Sequence, residues 1–162
     1  MVTFVFSNVY LENFKKNNLY DPVLPNDAIQ KEELISITDA VFYTIADLNG
    51  NILTLKLAGI NTECISTAKF CLREAANHFA QKIFLTSDDP NIYYQKEEMN
   101  NDALVWIKYK GSYYLLNLLL LYNEFAFIEG DSDLFEPYLE RLNQIKEKEE
   151  ESTLNNKFGD SH

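Results

Sequence analysis

Cys64, Cys71 and His78 recur at seven-residue intervals, the spacing at which a metal site or a nucleophilic pair could be suspected on one helical stripe. Seven residues advance a helix by about 10.5 Å. Side chains that far apart cannot share a zinc ion whose ligands all lie within about 2.3 Å, and the two cysteines cannot form a disulfide with each other. A Cys-His dyad would need a different helix face or a distant loop. The other histidine, His162, ends the sequence. Acidic pairs at Glu32-Glu33, Asp88-Asp89, Glu97-Glu98 and Asp131/Asp133 could supply a metal site or an acid/base couple. The same residue types more often cap helices or sit in solvated loops. Asp47, Asn49 and Asn51 imitate a calcium loop, but Ile52 stands where a glycine is required and Ala58 where a bidentate glutamate belongs. No glycine-rich phosphate loop, G-x-S-x-G elbow or H-E-x-x-H helix occurs. The expectation is a protein without catalytic residues, metal or cofactor, hence not an enzyme.

Composition points the same way. Hydrophobic residues make up 46% of the 162-residue chain and charged residues 24%, the balance of one packed domain. The formal charge is -11, and no lysine/arginine cluster offers the cationic surface that nucleic acid needs. Free thiols and the lack of a basic, then apolar, leader predict a reducing cytoplasm. The longest apolar run, Leu118 to Tyr122, is far too short to span a bilayer.

The pattern along the chain predicts an α+β fold: an antiparallel sheet of five or six strands packed by a long central helix and a C-terminal helix. Val2, Phe4 and Phe6 alternate as in a strand, and Val9, Tyr10 and Phe14 then take helical spacing. After the prolines at 22 and 25, three strands are expected at Leu34–Ile37, Val41–Ala46 and Ile52–Leu57. The last two are joined by Asp47-Leu48-Asn49-Gly50-Asn51, a strong hairpin signal. A six-turn helix is expected from Asn61 or Thr62, its stripe running through Ile65, Ala68, Leu72, Ala75, Phe79 and Ile83. An exposed loop follows over Gln95–Asp102. Leu104–Tyr109, Tyr113–Tyr122 and Glu124–Ile128 read as strands, although the leucine run at 118–121 suits a helix equally well. A final helix opens at Asp131-Ser132-Asp133, with Leu134, Phe135, Tyr138, Leu139, Leu142 and Ile145 inward. Residues 1–146 would form the domain, and 147–162 a frayed acidic helix end and disordered tail.

Tyrosine, phenylalanine and tryptophan make up 14% of the chain, more than one small sheet face requires, and such side chains are favoured at protein interfaces as well as in cores. Phe79 suits the core. Trp106 and Tyr109 suit an interface.

The order of helix, three strands, long helix, strands and acidic final helix resembles the class I chaperones of bacterial type III secretion. The closest local likeness runs from Leu34-Ile35-Ser36-Ile37-Thr38-Asp39-Ala40-Val41-Phe42 through Asn49-Gly50-Asn51 to Leu57, and Asp133-Leu134-Phe135-Glu136-Pro137-Tyr138-Leu139-Glu140 is similar to the start of that family's last helix. The likeness covers residues 8–150 in element order and contains no diagnostic motif. It implies a cytoplasmic homodimer that holds the N-terminal segment of a secreted effector and keeps it secretion-competent. The partner-binding residues it suggests are Tyr10, Phe14, Phe42, Thr44 and Ile52, with Trp106, Tyr109 and Tyr113 at the subunit contact. The alternative is an immunity protein or stoichiometric inhibitor that covers a cationic toxin with Glu129, Asp131, Asp133, Glu136 and Glu140. Both readings make the partner a protein, with no nucleic acid and no membrane.

Overall fold

The computed structural model describes residues 2–62 and 72–159. Cys64, Cys71, His162 and the first half of the expected long helix therefore lie outside the described residues. The α+β expectation holds, and the sheet closes into a barrel.

The chain begins with α1 (Val2–Lys16), a helix from its second residue. The strand expected at Val2, Phe4 and Phe6 is corrected here: three alternating residues with no neighbour to pair do not hold an extended conformation, and the helical spacing around Tyr10 and Phe14 prevails. Leu11 and Phe14 on this helix are fully buried.

Three antiparallel strands follow, β1 (Gln30–Thr38), β2 (Phe42–Ala46) and β3 (Ile52–Leu57). The turn between β2 and β3 is built on Asp47. Its Oδ1 accepts the amides of Asn49 and Asn51 at 2.9 and 2.8 Å, and its Oδ2 accepts Asn51 Nδ2 at 3.1 Å. Gly50, at φ +80°, supplies the left-handed residue. The Asn51 amide bond is foremost in holding the Asp47 carboxyl below its ordinary value of 3.8. A depressed carboxyl contributes stability that is fully present above its unfolded value and is lost as the pH falls through the folded one. Acidification is thus expected to loosen this hairpin, seen as faster amide exchange at Asn49 and Asn51, and Asp47→Asn should remove that pH dependence.

β1 is broken by a bulge. Leu34 pairs with Ile45 but Ser36 pairs with Thr44, so Ile35 is the extra residue. This explains how Leu34 and Ile37, three apart, can both face inward. A regular strand would put them on opposite faces.

After β3 come β4 (Ile60–Asn61), α2 (Leu72–Leu85), β5 (Asn91–Lys96), β6 (Asp102–Tyr109) and β7 (Ser112–Leu115). β5 joins β1 on one side and β6 on the other. β6 meets β3 in a parallel pairing at Lys56↔Asp102 and Leu57↔Ala103, which closes the ring β1-β2-β3-β6-β5. A closed five-stranded ring with one parallel pair and a helix between its third and fourth strands has the connectivity of an OB-type barrel. Tyr43, Ile45, Leu55, Leu57, Ile92, Ala103 and Val105 fill its interior. The Tyr43 hydroxyl lies there with no partner among the described residues, and burial pushes its pKa up. An unpaired hydroxyl in an apolar interior is unfavourable, so Tyr43→Phe is expected to leave stability unchanged or raise it by about 1 kcal/mol in urea unfolding.

The leucine run forms α3 (Leu116–Tyr122), not a strand, and this corrects the expected strand at 113–122 beyond Leu115. Residues 116–121 are all buried, as in a helix surrounded by protein on every side. The segment 124–128 keeps only β8 (Phe127–Ile128), paired to β4. Ser132 then turns the chain: its Oγ accepts the Phe135 amide at 3.3 Å and its carbonyl the Glu136 amide at 3.0 Å. α4 (Glu136–Gly159) starts there and continues as helix well past residue 147.

Two polar devices fasten these parts. Asn117, buried on α3, spans the seam where β3 leaves β6. Its Nδ2 donates to the carbonyls of Ala58 and Ala103 at 3.0 and 3.1 Å, and its Oδ1 accepts the Val105 amide at 3.1 Å. On α4, Arg141 pairs with Asp21 at 3.3 Å and donates to the Asn18 and Tyr20 carbonyls. Asp21 in turn accepts Trp106 Nε1 at 3.0 Å.

Candidate contact surface

Register assigns the barrel's outer face. Residues paired across strands share a side of the sheet, so Ser36 and Thr38 of β1, Phe42, Thr44 and Ala46 of β2, and Ile52, Thr54 and Lys56 of β3 all point outward. The pairs Phe42↔Lys56, Thr44↔Thr54 and Ala46↔Ile52 form the centre of this face. Thr44 and Thr54 bring their hydroxyls to 3.1 Å. Ile52 is 70% exposed and Phe42 half-buried. Lys56 is the only charged side chain among these eight and lies 4.0 Å from Glu129; Glu33, the pair of Ala46, adds a carboxylate at the rim of the same side. On a chain of charge -11, this is a low-charge, β-branched surface.

Three of the five expected partner-binding residues, Phe42, Thr44 and Ile52, are therefore brought together. Tyr10 and Phe14 are not with them. Phe14 is wholly buried, with Tyr122 edge-on at 5.8 Å and Tyr114 at 6.1 Å. Tyr10 is half-buried, edge-on to Phe79 at 4.8 Å. Both belong to the packing of α1 on the body, because helical spacing puts them on that helix's inner stripe.

The expected subunit-contact set is corrected as well. Trp106 has no exposed surface and Tyr109 only 5%; the first is covered by Tyr138 of α4 and bonded to Asp21, the second packs near Tyr114. Tyr113 is half-buried, and its backbone exchanges two 2.8 Å hydrogen bonds with Asp21, so the outer edge of β7 is occupied by the chain's own segment there. The acidic set Glu129, Asp131, Asp133, Glu136 and Glu140 is exposed throughout, on the loop before α4 and its first turns.

The β1 edge contrasts with that of β7. β5 pairs with β1 only over Gln30–Glu33, and Leu34 still donates its amide to the Pro90 carbonyl at 3.1 Å. Beyond the bulge, no described strand pairs with the edge at Ile35–Thr38. A groove of about 330 Å³ lies there, lined by Leu34, Ile35, Ser36 and Ile37 of β1 and Gln81, Phe84 and Leu85 of α2. Ile35 is 52% and Leu85 76% exposed. Sequence reasoning did not find this groove; the non-periodic Leu34-Ile35-Ser36-Ile37 run was the available signal. A second cleft of about 740 Å³ at the barrel mouth is lined by Gln30, Leu53, Tyr94, Lys96, Glu97 and Leu134 among others. Several of its polar groups are already engaged: Tyr94 with Gln30, Lys96 with two carbonyls and Glu97 with Ser132.

Among the described residues, no three His, Cys, Asp or Glu side chains converge as a metal site would require, and no helix is long and apolar enough to cross a membrane. His78 is exposed on α2. No protein-family model matches the chain, and no curated protein matches it.

Proposed function

We propose that this protein works by binding another protein without catalysis, as a cytoplasmic chaperone that holds an extended segment of a secreted partner. The carrying observation is the outer face of β1, β2 and β3, where Phe42, Thr44, Ala46, Ile52 and Thr54 form a contiguous low-charge surface on an otherwise strongly acidic chain. Sheet faces of this kind in OB-type barrels are recurrent ligand surfaces, a fold-level analogy that supports the location and not the ligand. Nucleic acid suits it poorly. A single lysine and a single half-buried aromatic provide neither the cationic track nor the stacking platforms that strands of nucleic acid require. A homodimer, as the resemblance implies, would have to use a surface other than Trp106 and Tyr109.

The test is recovery of the partner from the native host, reconstitution of the complex from two purified proteins, and titration against Ile52→Asp. This exposed substitution should leave folding intact and weaken the complex at least about tenfold, or ~1.4 kcal/mol. Equal affinity for the variant would remove the face from the account.

A second reading, an inhibitor of a cationic toxin, is favoured by the exposure of all five carboxylates from Glu129 to Glu140. The two separate by salt. An inhibitor steered by charge should lose association rate steeply between low and high ionic strength, and an apolar contact should lose little.

A further inference from the structure

We infer that the groove between β1 and α2 is a strand-addition site, which takes an extended peptide of alternating apolar residues flanked by basic ones as a new neighbour of β1. The inference rests on the protein-binding reading and gives it a particular edge and a particular partner chemistry.

The bulge at Ile35 creates the site. It turns Ile35 out of the regular alternation just past the last pair with β5, Glu33↔Asn91, where β5 begins, and the edge from Ile35 to Thr38 has no partner strand among the described residues. Unpaired backbone groups on a sheet edge seek an extended chain. The rest of the molecule covers its comparable edge: β7 is closed by Asp21. Side chains complete the site. Phe84 and Leu85 of α2 line, with Ile35 and Ile37 of β1, a groove of about 330 Å³, enough for the apolar residues on one side of an incoming strand. Strand geometry lets about four residues pair along Ile35–Thr38. Charge selects among such strands. Glu33, exposed, precedes the open edge and Asp39 follows it, while Lys82 beside Gln81 is half-buried and already engaged. Basic residues at the two ends of the peptide meet these carboxylates.

The probe is a fluorescein-labelled peptide, Lys-Val-Thr-Val-Thr-Val-Lys, titrated into the full chain by anisotropy, with amide spectra recording where it binds. Saturable binding is expected, with shifts confined to Ile35–Thr38 and the end of α2. Ile35→Lys places a charge in the groove and is expected to weaken binding about tenfold or more. Leu85→Asp, at a surface position with no fold to lose, should act in the same direction. Glu33→Lys should weaken it about threefold and flatten its salt dependence. A peptide with proline at its centre, unable to donate the ladder bond, should not bind. The inference is overturned if the parent peptide shows no saturable binding, if Ile35→Lys and Leu85→Asp both bind it as the unmodified chain does, or if the proline peptide binds equally well. Partner capture that survives Ile35→Lys but is lost in Ile52→Asp would sink this site alone and leave the general reading standing.

Discussion

Asn117→Leu is expected to lower the unfolding free energy by about 3–4 kcal/mol, measured as a fall in the urea midpoint at unchanged slope. Leucine matches the branching of asparagine and is the larger side chain, so the loss comes from unpaired hydrogen-bonding groups, with some crowding, and not from a cavity. The Val105 amide loses its acceptor and the Ala58 carbonyl its donor, both within the body of the protein. Each buried group left unpaired costs about 1–3 kcal/mol. Ala103 is spared because its carbonyl also accepts the Ala58 amide at 2.8 Å. The effect should exceed that of losing one exposed amide, since Asn117 is buried at the seam where β6 exchanges β3 for β7. A variant as stable as the parent would show that the seam closes by another route.

Gly59→Ala is expected to cost about 3 kcal/mol, through two separate causes. The residue has φ +77°, a left-handed geometry that disfavours any side chain by about 1–2 kcal/mol. The new methyl would also stand 2.6 Å from Phe135 Cδ2, and forcing an extra carbon into a packed core costs about 1–3 kcal/mol. The two can be told apart. Combined with Phe135→Ala, which removes the obstructing Cδ2 and Cγ, the substitution should cost less than in the parent, leaving the backbone share alone. Additive effects in that double-mutant cycle would contradict the proposed clash.

These two residues mark what the sequence does and does not disclose. The hairpin at Asp47–Asn51 was legible because its cause is local: an aspartate that can bond the amides two and four residues on, and a glycine free to take positive φ. The strands from Phe42 to Leu57 and from Leu104 to Tyr109 were legible for the same reason. β5 was missed because its six residues follow a proline and end in a polar stretch, so only Ile92, Tyr93 and Tyr94 carry the signal. The leucine run was misread because periodicity cannot rank helix against strand when every side is buried. α3 is decided by neighbours far away in sequence. Asn117 looks like an exposed polar residue interrupting that run until β3 and β6 are brought beside it, 59 residues from Ala58. The candidate face was half legible: Phe42, Thr44 and Ile52 follow from strand alternation, whereas the inward turn of Phe14 and Trp106 depends on which helices and segments come to cover them.

The fastening around Asp21 carries a consequence for biogenesis. The short segment that shields the last strand of the sheet is held by an arginine 120 residues later, on α4, which leaves the ribosome after every strand of the barrel. Until that helix emerges, a nascent chain bears an unguarded β7 and a tryptophan indole with an untethered acceptor. Any delay in the docking of α4 would therefore prolong an association-prone stage that the finished molecule never displays.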